Sequence, residues 1–386
     1  MRILHTSDWH VGRSFHGRDL LPVQATVLGA IAGTVAEEGV DLVVIAGDLY
    51  DRALPSAEAV RVCGEALAAI RSAGAAIVLI SGNHDSASRL GFGAGFLAAG
   101  GLHVRSDPAE VGTPVLLRDT HGEVAVYGIP YLEPDTARHV LGVAEGRSHE
   151  AVLRAAMDAV RADLATRPGT RSVVLAHAFV IGGDGSDSER SISVGGVETV
   201  PAGVFDGAGY VALGHLHGAQ RPDASRPWLR YSGSPLAYSF SEARQRKSVW
   251  LVELDAGGLA DVRRHALPVP RPLSTVRGRL DDLLRDPAHA ELEQHYLAVV
   301  LTDPARPLEP MRRLQERFPH SVALEWEPEG GRAAGTAPPR VGSGERDDVA
   351  VAAGFVEYVR NTPAEPAELA LLDAAFGAVR AAEAAG

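Results

Sequence analysis

Residues 42–51 of the chain read LVVIAGDLYD, an apolar run that ends in a glycine and two acidic residues. A short β-branched run followed at once by glycine is typical of a buried strand that opens into a tight turn. Asp48 and Asp51 then lie just beyond the carboxyl end of the strand. This arrangement favours a parallel α/β sheet, because such sheets bind their ligands beyond the carboxyl ends of their strands.

The same arrangement recurs along the chain, where strand-like runs at 3–6, 77–80, 173–176 and 210–213 also precede polar residues. The five polar motifs are, in order, Asp8-Trp9-His10, Gly47-Asp48-Leu49-Tyr50-Asp51, Gly82-Asn83-His84-Asp85, His177 and Gly214-His215-Leu216-His217. Since each motif follows a predicted strand, five strands would deliver these side chains to one place.

The residue types in these motifs fit a pair of divalent metal ions. Carboxylate, imidazole and amide oxygen together suit Mn, Fe or Zn better than Ca or Mg, and no thiolate is offered. Side chains two residues apart on an extended backbone point the same way, so both members of Asp8 and His10 can reach one cluster. A single histidine after a strand, such as His177, is more often a hydrogen-bonded core residue. Its place between the third and last motifs favours a ligand instead.

Composition narrows the class of protein. With 386 residues, 46% hydrophobic and 22% charged, the chain is globular and long enough for two or three domains. It contains no apolar stretch of about 18 residues and no leader, so we expect a cytoplasmic protein without a membrane span. The net charge of −12 argues against a whole-surface nucleic-acid binder but does not exclude DNA. Of the 37 basic residues only Lys247 is lysine.

Four segments are predicted from the pattern of elements. Residues 1–268 alternate strands and helices, with antiparallel strands flanking the parallel ones, which indicates two mixed β-sheets with helices outside. Residues 273–327 read strand, helix, strand, helix, strand, and predict a small α/β cap domain. Residues 328–346, rich in Gly, Pro, Ala and Arg, predict a flexible linker. Residues 347–386 predict two C-terminal helices with an apolar face, suited either to closing the chain's own core or to docking a partner.

The ordered motifs D-X-H, G-D-X-X-D, G-N-H-D, H and G-H-X-H resemble those of the calcineurin-like metallophosphoesterases. Four longer strings are similar to those of the nuclease subunits that work with an SbcC-type ATPase on DNA: MRILHTSDWHVGRSFHG (1–17), AGDLYDRALPS (46–56), ISGNHDSASRL (80–90) and YSGSPLAYSFSE (231–242). The resemblance implies a four-layer metallophosphoesterase sandwich, in which two mixed β-sheets are flanked by helices. It covers residues 1 to about 255.

The resemblance also implies roles for individual residues. Asp8, His10, Asp48 and His217 would hold one metal ion, and Asp48, Asn83, His177 and His215 the other, with Asp48 between the two. Of the possible ions we expect Mn²⁺. His84 would contact the scissile phosphate, and Asp85 and Asp51 are candidates for orienting neighbouring imidazoles. Arginines close to the motifs are candidates for contacting DNA phosphates or are solvated loop residues: Arg13, Arg18, Arg52 and Arg89.

A metal-dependent DNA exonuclease and endonuclease acting on ends or hairpins is the function that the resemblance implies, in repair, recombination and replication. We expect it to form a homodimer, through helices around 56–73 and 87–99, and to bind its SbcC-type ATPase through the C-terminal helices. Two alternatives remain open. One is a phosphatase or cyclic-nucleotide phosphodiesterase with the same metal ions, and the other is a DNA-end scaffold without active hydrolysis.

Overall fold

The computed structural model describes residues 1–144, 146–191, 199–329, 348–360 and 362–384. The chain divides into two compact units, Met1–Pro270 and Arg271–Gly386. From residue 330 onward, the predicted linker 328–346 lies outside the described residues. Nowhere in the described parts is a helix long and apolar enough to cross a membrane.

The first unit contains two large β-sheets. Its strands are β1 (Arg2–Thr6), β2 (Ser14–Phe15), β3 (Arg18–Asp19), β4 (Leu42–Ala46), β5 (Ala76–Ile80), β6 (Leu102–Arg105), β7 (Val115–Asp119), β8 (Gly122–Ile129), β9 (Arg171–His177), β10 (Phe179–Val180), β11 (Thr199–Val200), β12 (Tyr210–Gly214), β13 (Leu229–Tyr231), β14 (Ser248–Asp255) and β15 (Gly258–Ala266). The first sheet has the order β15-β14-β1-β4-β5-β6, and the second has the order β13-β12-β9-β8-β7.

Both sheets are mixed, as the sequence predicts. Strands β1, β4, β5 and β6 run parallel, and β14 and β15 complete the first sheet in antiparallel fashion. In the second sheet β8, β9, β12 and β13 run parallel, whereas β7 pairs antiparallel with β8. The sequence has turns without long helices at these antiparallel pairs, because an antiparallel connection needs no crossover helix.

Helices cover the outer faces of the sheets. They are α1 (Leu21–Glu38), α2 (Ala57–Ser72), α3 (Ala87–Leu90), α4 (Ala94–Ala99), α5 (Pro134–Val140) and α6 (His149–Ala165). Ser56 begins α2, since its hydroxyl accepts the main-chain N–H of Ala59 at 3.2 Å. The single helix predicted over 87–99 is wrong: the chain forms α3 and α4 instead, and Gly93 between them adopts a left-handed φ of 74°.

The core is arranged in layers. Side chains of the first sheet, such as Val44 and Val78, share one buried cluster with Val126 and Val173 of the second, so the sheets pack face to face. A second cluster joins the far face of the second sheet to α6 through Val152 and Met157. On the outside of the first sheet α2 contacts β5, and α1 contacts α2. The four-layer sandwich predicted from the sequence is confirmed.

The second unit is small and has its own core. A parallel three-stranded sheet has the order β16 (Leu273–Gly278), β17 (Tyr296–Leu301), β18 (Ser321–Trp326). Helices α7 (Leu280–Arg285) and α8 (Pro310–Arg317) pack on it, and Leu297, Leu314 and Phe318 are buried between them. Two further helices, α9 (Asp348–Arg360) and α10 (Pro366–Ala384), pack against each other.

Candidate metal centre

The polar motifs follow adjacent strands in each sheet. Asp8 and His10 follow β1, Asp48 follows β4, and Asn83 follows β5, and these three strands are neighbours in the first sheet. His177 ends β9, and His215 and His217 follow its neighbour β12 in the second sheet. The two sheets therefore each supply part of one cluster.

One group of donors forms around His10. Its Nε2 atom lies 3.1 Å from Nε2 of His217 and 3.6 Å from Oδ2 of Asp48. A carboxylate oxygen of Asp8 and ring nitrogens of His10 and His217 all lie within 4.8 Å of one another, and all three residues are buried. These side chains present nitrogen and oxygen lone pairs to one small volume.

A second group of donors shares Asp48 with the first. Nε2 of His177 lies 3.5 Å from Oδ2 of Asp48 and 2.9 Å from Oδ1 of Asn83. The same amide oxygen lies 3.3 Å from Nδ1 of His215. The structure thus brings together all seven residues that the sequence suggests as ligands.

His84 lies at the edge of this cluster. Its main-chain N–H donates to Oδ1 of Asp48 at 2.8 Å, and its ring centroid lies 4.6 Å from that of His10. One ring nitrogen of His84 is within 4.8 Å of donor atoms of both His10 and Asp48. The side chain is therefore close enough to touch anything bound there.

Asp85 and Asp51 differ in what they contact. The Asp85 carboxylate accepts three main-chain N–H groups, from Leu49, Tyr50 and Gly82, each at 3.0 Å. It therefore links the loops after β4 and β5, and among the described residues its hydrogen bonds do not include the imidazole contact that the sequence suggested. Asp51 does face an imidazole, since its Oδ1 lies 3.8 Å from Nδ1 of His10.

The four candidate arginines lie in different surroundings. Arg13 donates to the main-chain oxygen of Ser188 at 2.8 Å, and its guanidinium stacks 5.0 Å from the centre of the Tyr238 ring. The side chain of Arg52 is 79% exposed and lies 3.7 Å from Asp51. Arg18 is exposed on β3, and Arg89 lines a cavity beside α2. Arg13 is thus held in place, whereas Arg52 and Arg18 face solvent.

The backbone is strained at the donors. Asp8, His10, Asp48 and His215 have φ values of 53°, 45°, 50° and 105°. Residues with a side chain rarely adopt positive φ, and such strain persists at functional sites because the surroundings enforce it. The positive φ values turn these side chains toward one another at the strand ends.

Two glycines make room for this arrangement. A Cβ atom on Gly82 would collide with the carboxylate of Asp48, and one on Gly214 would collide with the main-chain oxygen of Ala46. Gly214 belongs to the second sheet and Ala46 to the first. The two sheets therefore approach at backbone contact beside the donors, where no side chain fits.

The electrostatics favour a bound cation. Burial and the neighbouring charge of Asp48 raise the pKa of Asp8 well above its usual range, and burial raises the pKa of Asp48 to about 6. Burial also lowers the pKa of His177 to about 4 and holds that of His10 and His215 well below its usual range. The imidazoles are therefore neutral, with lone pairs to offer, while the carboxylates lack a compensating positive charge.

Unpaired polar atoms agree with this interpretation. Nδ1 of His10 and Nδ2 of Asn83 are buried without a hydrogen-bond partner among the described residues. Buried polar groups that are left unpaired carry a cost, and a bound ion is one explanation of such groups. The donor set of carboxylate oxygens, imidazole nitrogens and one amide oxygen thus fits divalent transition metals.

Several residues behind the donors were not identified from the sequence. Oγ of Ser188 lies 2.5 Å from Nδ1 of His217, and the main-chain N–H of His217 donates to Glu189 at 2.8 Å. Glu242 and Lys247 form a buried ion pair beside them. These residues belong to no metal-ligand motif. The one sequence feature that could have indicated them is the proximity of serine and glutamate in SDSER (186–190) and SFSE (239–242).

Comparison with known families identifies the class. Residues 1–219 match the model of the calcineurin-like phosphoesterases. This match covers more than half of the chain, which belongs to the calcineurin-like phosphoesterase family. Residues 269–358 match a second model, SbcD_C, described as the type 5 capsule protein repressor C-terminal domain. With both matches, the chain is a metallophosphoesterase of the SbcD type, as its motifs predicted.

Two solved structures are similar at low identity. The protein TT1561 of Thermus thermophilus is 15% identical, covers 68% of this chain and 98% of its own, and has a TM-score of 0.39. GAP50, the anchor in the inner membrane complex of Plasmodium, is 10% identical, covers 86% of this chain and 99% of its own, and has a TM-score of 0.42. Both scores are low, so the family assignment rests on the sequence matches.

Proposed function

We propose that the chain is a DNA nuclease that hydrolyses phosphodiester bonds at DNA ends or hairpins with two divalent metal ions, Mn²⁺ in the cell. The observation that carries the proposal is the pair of donor groups that share Asp48, with His84 beside them. The match of residues 269–358 to the SbcD_C model adds to it, together with the resemblance of the motif strings to nuclease subunits that work with an SbcC-type ATPase.

Asp8, His10, Asp48 and His217 would hold one ion, and Asp48, Asn83, His177 and His215 the other. Bound divalent ions would supply Lewis-acid charge for the phosphoryl oxygens and lower the pKa of a water molecule. The chain's own contribution is to fix the donors. Nδ1 of His177 lies 2.9 Å from the main-chain oxygen of Ala46, which keeps Nε2 of the neutral ring unprotonated and facing Asp48.

His84 is the residue we assign to the substrate. Its ring is anchored at Nδ1, 2.9 Å from the main-chain oxygen of Asp51, so that Nε2 is turned to the donors. In this position the ring can hydrogen-bond a phosphoryl oxygen or pass a proton to the leaving oxygen. Arg13, Arg18, Arg52 and Arg89 are proposed to contact DNA phosphates, and the side chain of Arg52 is 79% exposed.

The segments of the chain are proposed to have separate roles. We assign residues 1–268 to hydrolysis, 273–327 to a cap domain, 328–346 to a linker, and 347–386 to docking an SbcC-type ATPase in DNA repair and recombination. In α9 and α10, Phe355 is 58% exposed and Leu371 is 71% exposed. Exposed apolar side chains on a helix pair are suited to a partner's groove or helix.

A homodimer is proposed through α2 and the α3–α4 segment. Leu54, Val60, Phe92 and Phe96 are exposed there, Phe92 by 86% and Phe96 by 90%. Leu54, Val60 and Phe92 line a largely apolar cavity of about 890 Å³. Neighbouring exposed aromatic and aliphatic side chains of this kind typically mark an interaction surface.

Substrate comparison tests the proposed activity. Purified protein with MnCl₂ is expected to degrade linear double-stranded, single-stranded or hairpin DNA faster than it turns over cyclic nucleotides or phosphomonoesters at equal concentration. DNA left intact both by the protein alone and with its SbcC-type ATPase would overturn the nuclease proposal. Turnover confined to cyclic nucleotides or phosphomonoesters would establish the small-substrate alternative.

A further inference from the structure

Lys247 is the one lysine in a chain that uses arginine at the other 36 of its 37 basic positions. It is also buried, with 4% of its surface exposed. Arginine and lysine differ in shape, because arginine presents a planar fork and lysine a compact charge with three rotatable donors. A chain with so strong a preference for arginine is expected to keep lysine where its shape is required.

Four oxygen atoms surround the ammonium group of Lys247. Nζ lies 2.5 Å from Glu242, 2.9 Å from the main-chain oxygen of His217, 2.9 Å from Gln245 and 3.0 Å from Ser234, so its three N–H groups are shared among four acceptors. These acceptors converge on one atom. A planar guanidinium cannot satisfy them from the same point, so the position favours lysine.

Glu242 extends this contact to the ring of His217. Its second oxygen accepts the hydroxyl of Ser188, and Oγ of Ser188 lies 2.5 Å from Nδ1 of His217. Because the hydroxyl hydrogen points to Glu242, the Ser188 oxygen can accept a hydrogen bond from Nδ1–H of His217. The neutral imidazole then carries its hydrogen on Nδ1, which leaves a lone pair on Nε2.

That lone pair faces the candidate metal centre, since Nε2 of His217 lies 3.1 Å from Nε2 of His10. The network therefore contacts His217 at both the ring and the main chain. Lys247 binds its carbonyl oxygen, Glu189 binds its main-chain N–H, and Ser188 binds Nδ1.

We propose that Lys247, Glu242 and Ser188 are positioning residues that fix the tautomer and orientation of His217 for binding a divalent cation. The proposal rests on the assignment of His217 as a ligand under the proposed function, and it assigns the single lysine to that role. Partners that orient a ligating histidine typically change metal affinity about 10–100-fold when removed.

A merely structural ion pair would give a different result, and Ser188 separates the two. The S188A variant removes the hydroxyl and leaves the Glu242–Lys247 pair intact, while S188T keeps a hydroxyl as the matched control. We expect metal-free S188A to unfold at a temperature close to that of the wild type. Its affinity for Mn²⁺ at one site should fall by about 10–100-fold, and S188T should recover most of it.

Changes at the ion pair provide the second measurement. E242Q/K247M removes both charges together, which avoids leaving one charge buried without its partner. K247R keeps the charge but changes the shape. Both variants should lose Mn²⁺ affinity in titration calorimetry. Long-range ¹H–¹⁵N spectra of the metal-free protein report the tautomer of His217, whose signals are identified with an H217Q variant. In both variants His217 should no longer be confined to the Nδ1–H tautomer.

Mn²⁺ binding by S188A with the affinity and stoichiometry of the wild type would overturn the inference, as would an unchanged tautomer of His217. Absence of Mn²⁺ binding to the wild type would overturn it as well. Each measurement is made without DNA. A protein that binds Mn²⁺ as described and cleaves no DNA would contradict the proposed nuclease function while leaving the inference in place.

Discussion

Nδ1 of His84 lies 2.9 Å from the main-chain oxygen of Asp51. A carbonyl oxygen only accepts hydrogen bonds, so Nδ1 donates its hydrogen to it and Nε2 is left free of this contact. The main-chain N–H of His84 is bound to Asp48 at the same time. The ring is therefore fixed at the edge of the donor cluster with one nitrogen available for a substrate.

Replacement of His84 by alanine is expected to abolish cleavage and to preserve metal binding. Loss of a positioned proton donor or acceptor typically lowers a rate by about 100- to 10,000-fold. DNA cleavage and hydrolysis of bis-p-nitrophenyl phosphate should both fall by this amount, with unchanged Mn²⁺ stoichiometry. The exposed His121 supplies the control, and H121A should behave as the wild type. If H84A binds one ion fewer, His84 is a ligand instead.

Replacement of Gly82 by alanine should disrupt the cluster. The added methyl group would overlap the buried carboxylate of Asp48, and overpacking of this kind costs about 1–3 kcal/mol. Gly33 lies on an exposed position of α1 with open space around it, so G33A should stabilise the protein by about 0.5–1 kcal/mol. Urea unfolding measures both, and Mn²⁺ titration should show a loss of affinity in G82A alone. Equal affinity in G82A and G33A would contradict the placement of Asp48.

Metal affinity should fall at acidic pH. The pKa of Asp48 is raised by burial to about 6, so below that pH a proton occupies the carboxylate in the metal-free protein and must leave before a cation binds. The apparent affinity for Mn²⁺ is expected to fall about tenfold per pH unit for each displaced proton. Calorimetry in buffers of different ionisation enthalpy between about pH 5 and about pH 8 counts these protons. An affinity independent of pH across this window would exclude Asp48 as a ligand.

The stability of the metal-free protein should respond to pH in two opposing ways. The raised pKa of Asp48 means that the folded state binds more protons than the unfolded state from about pH 4 to about pH 6, so this group lowers the free energy of unfolding as pH rises. The pKa of His177, lowered to about 4, acts in the opposite sense up to about pH 6.5. Replacing His177 by Gln should therefore make the stability fall more steeply with rising pH, measured by urea unfolding at several pH values. An unchanged slope would contradict the burial of a neutral His177.

Aspartate at both Phe92 and Phe96 should convert the proposed dimer to a monomer. These two side chains are almost fully exposed, and a charge on each would remain buried without a partner in an interface. Light scattering with size-exclusion chromatography measures the mass. Leu308 is 86% exposed in the second unit and gives the control L308D. A wild type that is already monomeric would contradict the proposed dimer.

The order of elements in the chain was largely predictable from the sequence. Buried parallel strands such as β4 are continuous apolar runs, and the glycine and polar residues after them mark the strand ends. The failure at 87–99 has a local cause: the segment is rich in alanine and leucine, which favour helix, but Gly93 adopts a left-handed φ that interrupts it. Helix propensity alone could not reveal this break.

The donors of the site were also predictable, since each belongs to a motif at a strand end. The residues behind them were not. Ser188 is 29 residues from His217 and Glu242 is 54 residues from Ser188, and their contacts depend on how the loops fold back. Asp85 was evident in its motif, but the motif did not indicate its partners. These are three main-chain N–H groups, which the folding of two loops brings to its carboxylate.

The close approach of Gly214 to Ala46 has a further consequence for how the protein holds together. The strands on either side of this contact belong to different sheets, and donors from both sheets meet beside it. A cation gripped there would act as a reversible cross-link between chain segments that are far apart in the sequence. The two sheets could not separate without releasing the ion. Dissociation of the ion would therefore report on whether both sheets of the sandwich are intact.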